Sequence, residues 1–372
     1  MIYRKFGKLN WKASALGFGA MRLPVLGGDE GKIDEVKAIE MIRYAIDNGV
    51  NYLDTAYPYH HQMSELLVGK ALKNGYRQKI KLATKLPIWT VNKTEDFDLI
   101  LNEQLEKLQT DYVDFYLLHA LDKQKWSSVK TLNLFSRAEM AIKDGRIKHL
   151  GFSFHDDLAV FKEIVDAYDW DFCQIQLNIL DTDFQAGLKG LHYAASKGLA
   201  VVIMEPLKGG KLANPPLKVE KMWQEIGVKP IEGALQWLWN MEEVSLLLSG
   251  MSNLQQVKEN IESAKKSKIG FYNKEQLKKI EKIKEVYGTL QSIACTNCQY
   301  CLPCPNGVNI PKIFEIYNGI DVYYDKDRAR ELYRELNKKE RGSSCVRCGR
   351  CEDLCPQKIG IMDWLSKIDN KL

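Results

Sequence analysis

The sequence lacks any apolar run long enough to cross a membrane, and its opening Met-Ile-Tyr-Arg-Lys-Phe-Gly-Lys-Leu-Asn lacks the apolar core of a signal peptide. Neither a membrane protein nor a secreted one is expected, which leaves the cytoplasm. Charge of one sign is not massed anywhere: 53 Lys and Arg are interleaved with 48 Asp and Glu, for a formal net charge of +5. A nucleic-acid partner, which needs a basic stripe or patch, is therefore not expected. With 26 Gly and 11 Pro in 372 residues there is no low-complexity or flexible tether. Cysteine is almost missing from the first 290 residues. Cys173 is the one exception, and in Phe172-Cys173-Gln174-Ile175 it reads as a small core hydrophobe.

A chain of this length exceeds the size at which one core stops growing, so one large domain and a smaller appendage are expected. The first 290 residues alternate short β-branched or apolar runs with longer stretches apolar at three- and four-residue spacing, the pattern of repeated βα units. Eight candidate strands fall near 15–20, 51–55, 80–84, 112–118, 148–153, 172–177, 199–204 and 245–249. Helices are expected at 34–48, closing with Gly49; at 64–72, with Ser64 as N-cap; and at 94–108, 127–143, 156–168, 184–197, 229–241, 253–265 and 273–287. Eight such units describe a (β/α)8 TIM barrel. The rival, a doubly wound sheet, needs a G-x-G-x-x-G turn that Leu16-Gly17-Phe18-Gly19-Ala20-Met21 does not supply.

Barrel chemistry is built at the C-terminal ends of strands. Past the second expected strand stands Leu53-Asp54-Thr55-Ala56-Tyr57-Pro58-Tyr59, past the third Ala83-Thr84-Lys85, and past the fourth Leu117-Leu118-His119. An Asp, a Tyr, a Lys and a His at neighbouring strand ends can meet at one point. Each also has a plainer use: Asp54 as a helix cap, Lys85 as a rim charge, His119 as a core histidine. Tyr57 competes with Tyr59 for the inward position. His60 and His61 follow directly, either lining a pocket or lying in a surface loop.

In these motifs, with Ser64-Glu65 between them, residues 1–285 resemble the aldo-keto reductase superfamily. The resemblance implies reduction of a small aldehyde or ketone to an alcohol by hydride transfer from NADPH or NADH. Its catalytic set would be Asp54, Tyr59, Lys85 and His119. Tyr59 would give the proton to the developing alkoxide. A phenol is a weak acid, and a Lys85 ammonium beside it favours the ionised form, with Asp54 holding the ammonium in place. His119 would orient the carbonyl. Ser153, Gln174 and Asn178 would hold the nicotinamide carboxamide. Met204 stands where the family has a stacking Tyr, and Phe154 where an Asn is commoner. Pro206, Leu207, Gly209 and Gly210 would lie along the pyrophosphate, with Lys208 and Lys211 supplying charge. Ser252, Gln256, Glu259 and Asn260 would hold the adenosine end. The basic residues that often grip a 2′-phosphate are absent, since Gly250 and Gln256 occupy those positions.

The other eight cysteines are crowded into residues 286–372. Cys345-x2-Cys348-x2-Cys351-x3-Cys355-Pro356 matches the bacterial ferredoxin run, and Cys295-x2-Cys298-x2-Cys301-x2-Cys304-Pro305 is one residue shorter before its fourth cysteine. Disulfides are the competing use, which a reducing compartment disfavours. By the crossing rule Cys295, Cys298, Cys301 and Cys355 would bind one [4Fe-4S] cluster, and Cys345, Cys348, Cys351 and Cys304 a second. A single cluster is the alternative. Helix-like stretches at 310–320 and 326–339 resemble the mainly α-helical ferredoxin-type domains of electron-transfer subunits, which implies a redox protein partner. Two further readings stand beside a working reductase: a cofactor-sensing barrel, against which the complete catalytic set argues, and an electron-transfer subunit with no turnover of its own.

Overall fold

The computed structural model describes residues 1–289, 293–323 and 326–372, with backbone alone for 321–323. It contains ten strands: β1 (Tyr3–Phe6), β2 (Leu9–Ser14), β3 (Leu16–Gly19), β4 (Tyr52–Asp54), β5 (Lys81–Leu86), β6 (Val113–Leu121), β7 (Ile147–Phe154), β8 (Phe172–Gln176), β9 (Ala200–Met204) and β10 (Val244–Gly250). The last eight close into a parallel barrel in the order β10-β3-β4-β5-β6-β7-β8-β9. Every expected barrel strand is present. Strands β6 and β8 are buried along their whole length and β5 and β9 nearly so, as parallel strands covered on both faces must be.

The β1–β2 hairpin was not anticipated. Its second strand does carry a strand signal: Leu9-Asn10-Trp11-Lys12-Ala13-Ser14 alternates apolar with polar residues, Leu9 and Trp11 being half buried and Asn10 and Lys12 exposed. The hairpin presents Phe6 to the aromatic floor of the barrel, with ring centroids 4.9 Å from Phe115, 5.9 Å from Phe172 and 6.1 Å from Tyr52. Its turn passes so close to β9 that a Cβ on Gly7 would lie 2.3 Å from the Ala200 nitrogen, and Gly7 has φ +54°. The Arg4 guanidinium donates to the carbonyls of Val244, Trp239 and Met241, and burial pulls its pKa down to about 10.

Three helix expectations are corrected. The stretch 127–143 is two helices, Lys123–Thr131 and Leu134–Lys143, broken at Asn133 with φ +47°. Ser64 is not an N-cap: the helix starts at Met63 after Gln62, and Ser64 is buried inside it, its hydroxyl donating to the Ala20 carbonyl at 3.0 Å. The helix Leu217–Ile226 was missed altogether. The helix expected at 34–48 is present as Glu35–Asp47, with Asp34 as its N-cap accepting from the Lys37 amide.

By contacts the chain forms two compact units, Met1–Pro206 with Leu235–Phe271, and Leu207–Ala234 with Tyr272–Leu372. The helix Lys274–Gly288 runs through residue 285, and residues 290–292 and 324–325 of the expected 286–372 module lie outside the described residues. In the second unit, helices Ile310–Tyr323, Lys326–Glu335 and Ile361–Asp369 bury a separate core of Ile313, Phe314, Tyr317, Leu365 and Ile368. Helix content here matches the expectation, although the second helix stops at Glu335 and not near 339. Among the described residues no helix is long and apolar enough to cross a membrane.

Candidate active site and cluster site

Strand ends β4, β5 and β6 deliver Asp54, Lys85 and His119 to one place, and the turn after β4 brings Tyr59 back over them. Lys85 Nζ donates to Asp54 Oδ1 at 2.6 Å, to the Thr55 carbonyl at 2.8 Å and to the Tyr59 hydroxyl at 3.2 Å. Lys85 is 1% exposed and Asp54 2%, so the ion pair is made without water. Burial lowers the Lys85 pKa and raises that of Asp54, each opposed by the other's charge. Behind the lysine, Glu65 Oε1 accepts from Thr84 and Gln104, and Gln104 also donates to the Lys85 carbonyl. The ammonium is thus held by Asp54 and Thr55, and the Lys85 backbone by Gln104.

The His119 ring stands edge-on to Tyr59, with centroids 6.2 Å apart. Burial first, and the charge of Lys85 second, hold its pKa well below the usual histidine value, so it is a neutral imidazole. Its Nδ1 has no hydrogen-bond partner among the described residues. Trp89, 48% exposed, packs 5.1 Å from the same ring and forms an apolar wall that sequence reasoning missed. An aromatic residue shortly after a strand end was its only signal. Tyr57 does not compete with Tyr59: its hydroxyl lies 3.4 Å from Glu103 and Lys107 sits over its ring. His60 is neither pocket nor surface. It is buried, its Nε2 accepts from the Leu23 amide at 3.1 Å and its Nδ1 faces the Glu30 carbonyl at 2.9 Å, whereas His61 is exposed.

The residues expected around a dinucleotide behave unequally. Ser153 and Gln174 are direct neighbours across β7 and β8. The Ser153 oxygen takes the Ala120 amide at 2.7 Å and keeps its proton to give, while the buried Gln174 Oε1 has no partner among the described residues. A donor beside an orphaned acceptor fits a carboxamide. Asn178 is engaged within the protein: Nδ2 donates to Asp181 and to the Glu205 carbonyl in the loop after β9, and Oδ1 accepts from the Leu180 and Asp181 amides. Met204 is half-buried at the end of β9 and Pro206 is buried beyond it. Ser252 and Gln256 bond each other at 2.8 Å, Glu259 accepts from Gln255, and Asn260 donates to Ser249. Gln256 and Asn260 thus first shape the loop.

In the second unit the loop Leu207–Lys211 is tied down within that unit. The Lys211 ammonium donates to the Ile293 carbonyl, and a Cβ on Gly209, at φ +63°, would lie 2.5 Å from the Thr296 carbonyl oxygen. Lys211 therefore does not stand free to supply charge, and the close approach that Gly209 permits is used by Thr296. Gly210 has nothing near its missing side chain.

Thr296 lies between the first two cluster cysteines. The two cysteine runs adopt one backbone form: Asn297 and Arg347 have φ +53° and +56°, and each gives its amide to the sulfur two residues back, Cys295 and Cys345, at 3.4 Å. Gln299 and Gly349 repeat the positive φ two residues on. The one-residue difference before the fourth cysteine does not disturb this. Burial pushes the Cys301 thiol up, and so do the sulfurs of Cys298, Cys295 and Cys355; burial and then Cys345, with Cys304 among the rest, push Cys351 up to about 11. Each run thus has one cysteine of the other run among its neighbours, Cys355 for Cys301 and Cys304 for Cys351. Sulfurs that repel one another as thiolates need a cationic centre, as iron supplies. Cys301, Cys304, Cys345, Cys348 and Cys351 also line a cavity of about 380 Å³, counting its solvent-facing mouth.

A closed parallel barrel with a buried Asp-Lys pair, a Tyr on the lysine and a His beside it places the chain among barrel oxidoreductases. Residues 15–285 match the aldo/keto reductase family, and the chain belongs to it. Residues 294–359 match the 4Fe-4S dicluster domain. The chain is 32% identical over 157 residues to a probable aldo-keto reductase of Glycine max, covering 40% of this chain but only 44% of that one. It is 29% identical over 317 residues to L-galactose dehydrogenase of Arabidopsis thaliana, covering 76% and 94%. Its fold matches the holo form of aldo-keto reductase AKR11C1 from Bacillus halodurans at TM-score 0.62 and 26% identity, covering 76% and 96%. An aldo-keto reductase from Klebsiella pneumoniae solved with NADPH matches equally at 0.62, with 20% identity and the same coverage.

Proposed function

We propose that the barrel, taken as residues 1–285, reduces a small aldehyde or ketone to an alcohol, and that residues 286–372 hold two [4Fe-4S] clusters that exchange electrons with a redox protein partner. The observation that carries the first part is the contact chain Asp54–Lys85–Tyr59. NADPH or NADH, when bound, supplies the hydride to the carbonyl carbon. Tyr59 gives its proton to the carbonyl oxygen, and the phenolate left behind lies beside the Lys85 ammonium. His119, neutral, donates from its ring N–H to the same oxygen and orients it. Trp89 shields that face from water. Ser153 and Gln174 fix the carboxamide of the cofactor, which sets the face from which the hydride leaves.

The clusters move single electrons, and their ligands need thiols kept reduced, which supports a cytoplasmic setting. The test is aldehyde- and ketone-dependent oxidation of NADPH and NADH by anaerobically purified protein. Turnover lost in Tyr59→Phe supports the reading; a wild type that binds the nucleotide and reduces no carbonyl in a broad panel overturns it.

A further inference from the structure

Of the positions expected to supply cations for the cofactor phosphates, Gly250 and Gln256 are not basic and Lys211 is bound to Ile293, which leaves the buried Lys208 as the rival. A different cation stands at the mouth of the barrel. The stem of Arg22, from the loop after β3, lies on the backbone of Gly250 at the end of β10: a Cβ built on Gly250 would be 3.1 Å from Arg22 Cγ and 3.2 Å from its Cβ and Cδ. Its guanidinium is 3.8 Å from Glu205 Oε1, in the loop after β9. Since β10 lies between β9 and β3 in the barrel, this ion pair bridges over the end of β10.

Both partners are held by buried polar groups. Ser64 donates to the Ala20 carbonyl, Ala20 donates to the Asp54 carbonyl at 2.8 Å, and the Leu23 amide donates to His60, so the backbone is pinned on either side of Arg22. Glu205 sits at φ +56°, a conformation that costs a non-glycine residue energy, and Asn178 Nδ2 holds its carbonyl at 3.1 Å. Ser64, His60 and Asn178 thus share one result, the placement of the ion pair. At 3.8 Å the pair is too long for a hydrogen bond and partly open to water, with side chains 26% and 17% exposed. A guanidinium so held can exchange a carboxylate for a phosphate, which it binds through two parallel N–H groups.

We propose that Arg22 is the phosphate-binding cation of the cofactor site and that Glu205 is the anion it leaves when the dinucleotide binds. This rests on the cofactor reading above and adds the residue that decides affinity. Direct titration of NADPH and NADH by fluorescence or calorimetry tests it without turnover. Arg22→Ala should weaken binding about 10-fold or more, the scale of a lost charge-assisted contact. Loss confined to NADPH assigns Arg22 to the 2′-phosphate, and equal loss for both nucleotides assigns it to the pyrophosphate. Glu205→Gln should tighten binding about 3-fold, a gain that misfolding cannot produce, and Arg22→Lys should recover only part of the loss. Wild-type binding with Arg22→Ala unchanged for both nucleotides, or lost in Lys208→Ala instead, overturns the proposal alone. A wild type that binds neither nucleotide overturns the cofactor reading together with it.

Discussion

Lys85 Nζ lies 3.2 Å from the Tyr59 hydroxyl and is held there by Asp54, on a lysine only 1% exposed. If this contact prepares Tyr59 to give a proton, Tyr59→Phe should lower kcat by about 10²–10⁴, the range for a lost general acid, with nucleotide affinity unchanged. Steady-state rates and a nucleotide titration on the same preparation read this. Near-full turnover would remove Tyr59 from that role.

The pH dependence follows from the same burial. His119 is kept neutral far below the usual histidine range, so it should add no limb to the rate profile near pH 6.5. Lys85 must stay protonated, and burial lowers its pKa; activity should therefore be full below that value and fall as pH rises through it, at a pH under the ordinary 10.5 of lysine. Asp54→Asn removes the charge that opposes this shift and should move the alkaline limb lower still. A limb near 6.5 that vanishes in His119→Ala would contradict this account.

Much of this was legible from residue order because barrel strands are buried on both faces and read as continuous apolar runs, and because strand ends carry the polar residues. All eight barrel strands and the meeting of Asp54, Lys85 and His119 came from that, whereas Tyr59 rested on the family resemblance. What escaped depends on three-dimensional pairing. Nothing local separates Tyr57 from Tyr59 until Glu103 and Lys107 are seen to hold the first. Asn178 matched a cofactor position, yet its amide serves the Glu205 turn. Nor does anything local show that the backbone of Thr296, far along the chain, fills the space beside Gly209.

That packing predicts a difference between adjacent glycines. Gly209→Ala puts a methyl group 2.5 Å from the Thr296 oxygen at φ +63°, and should cost about 2–4 kcal/mol by overpacking and backbone strain together. Gly210→Ala, with φ +91° and open space, should cost only about 1–2 kcal/mol. Denaturant unfolding of the holoprotein compares the two. Equal losses would mean that contact with Thr296 does not matter.

The crossing of cysteines between runs is testable by iron content. Cys298→Ala should lose one cluster, about half of the iron. If Cys355 belongs to the same cluster, as its place beside Cys301 supports, adding Cys355→Ala should remove little more. Adding Cys304→Ala should instead strip the second cluster if Cys304 belongs with Cys345, Cys348 and Cys351, beside which it lines one cavity. Iron analysis with low-temperature electron paramagnetic resonance distinguishes these patterns. Were each run to hold its own four ligands, the result would reverse: Cys298→Ala with Cys304→Ala would keep half of the iron, and Cys298→Ala with Cys355→Ala would lose it all. The shared backbone form of the two runs is consistent with either pattern, so only the sulfurs of Cys304 and Cys355 decide between them.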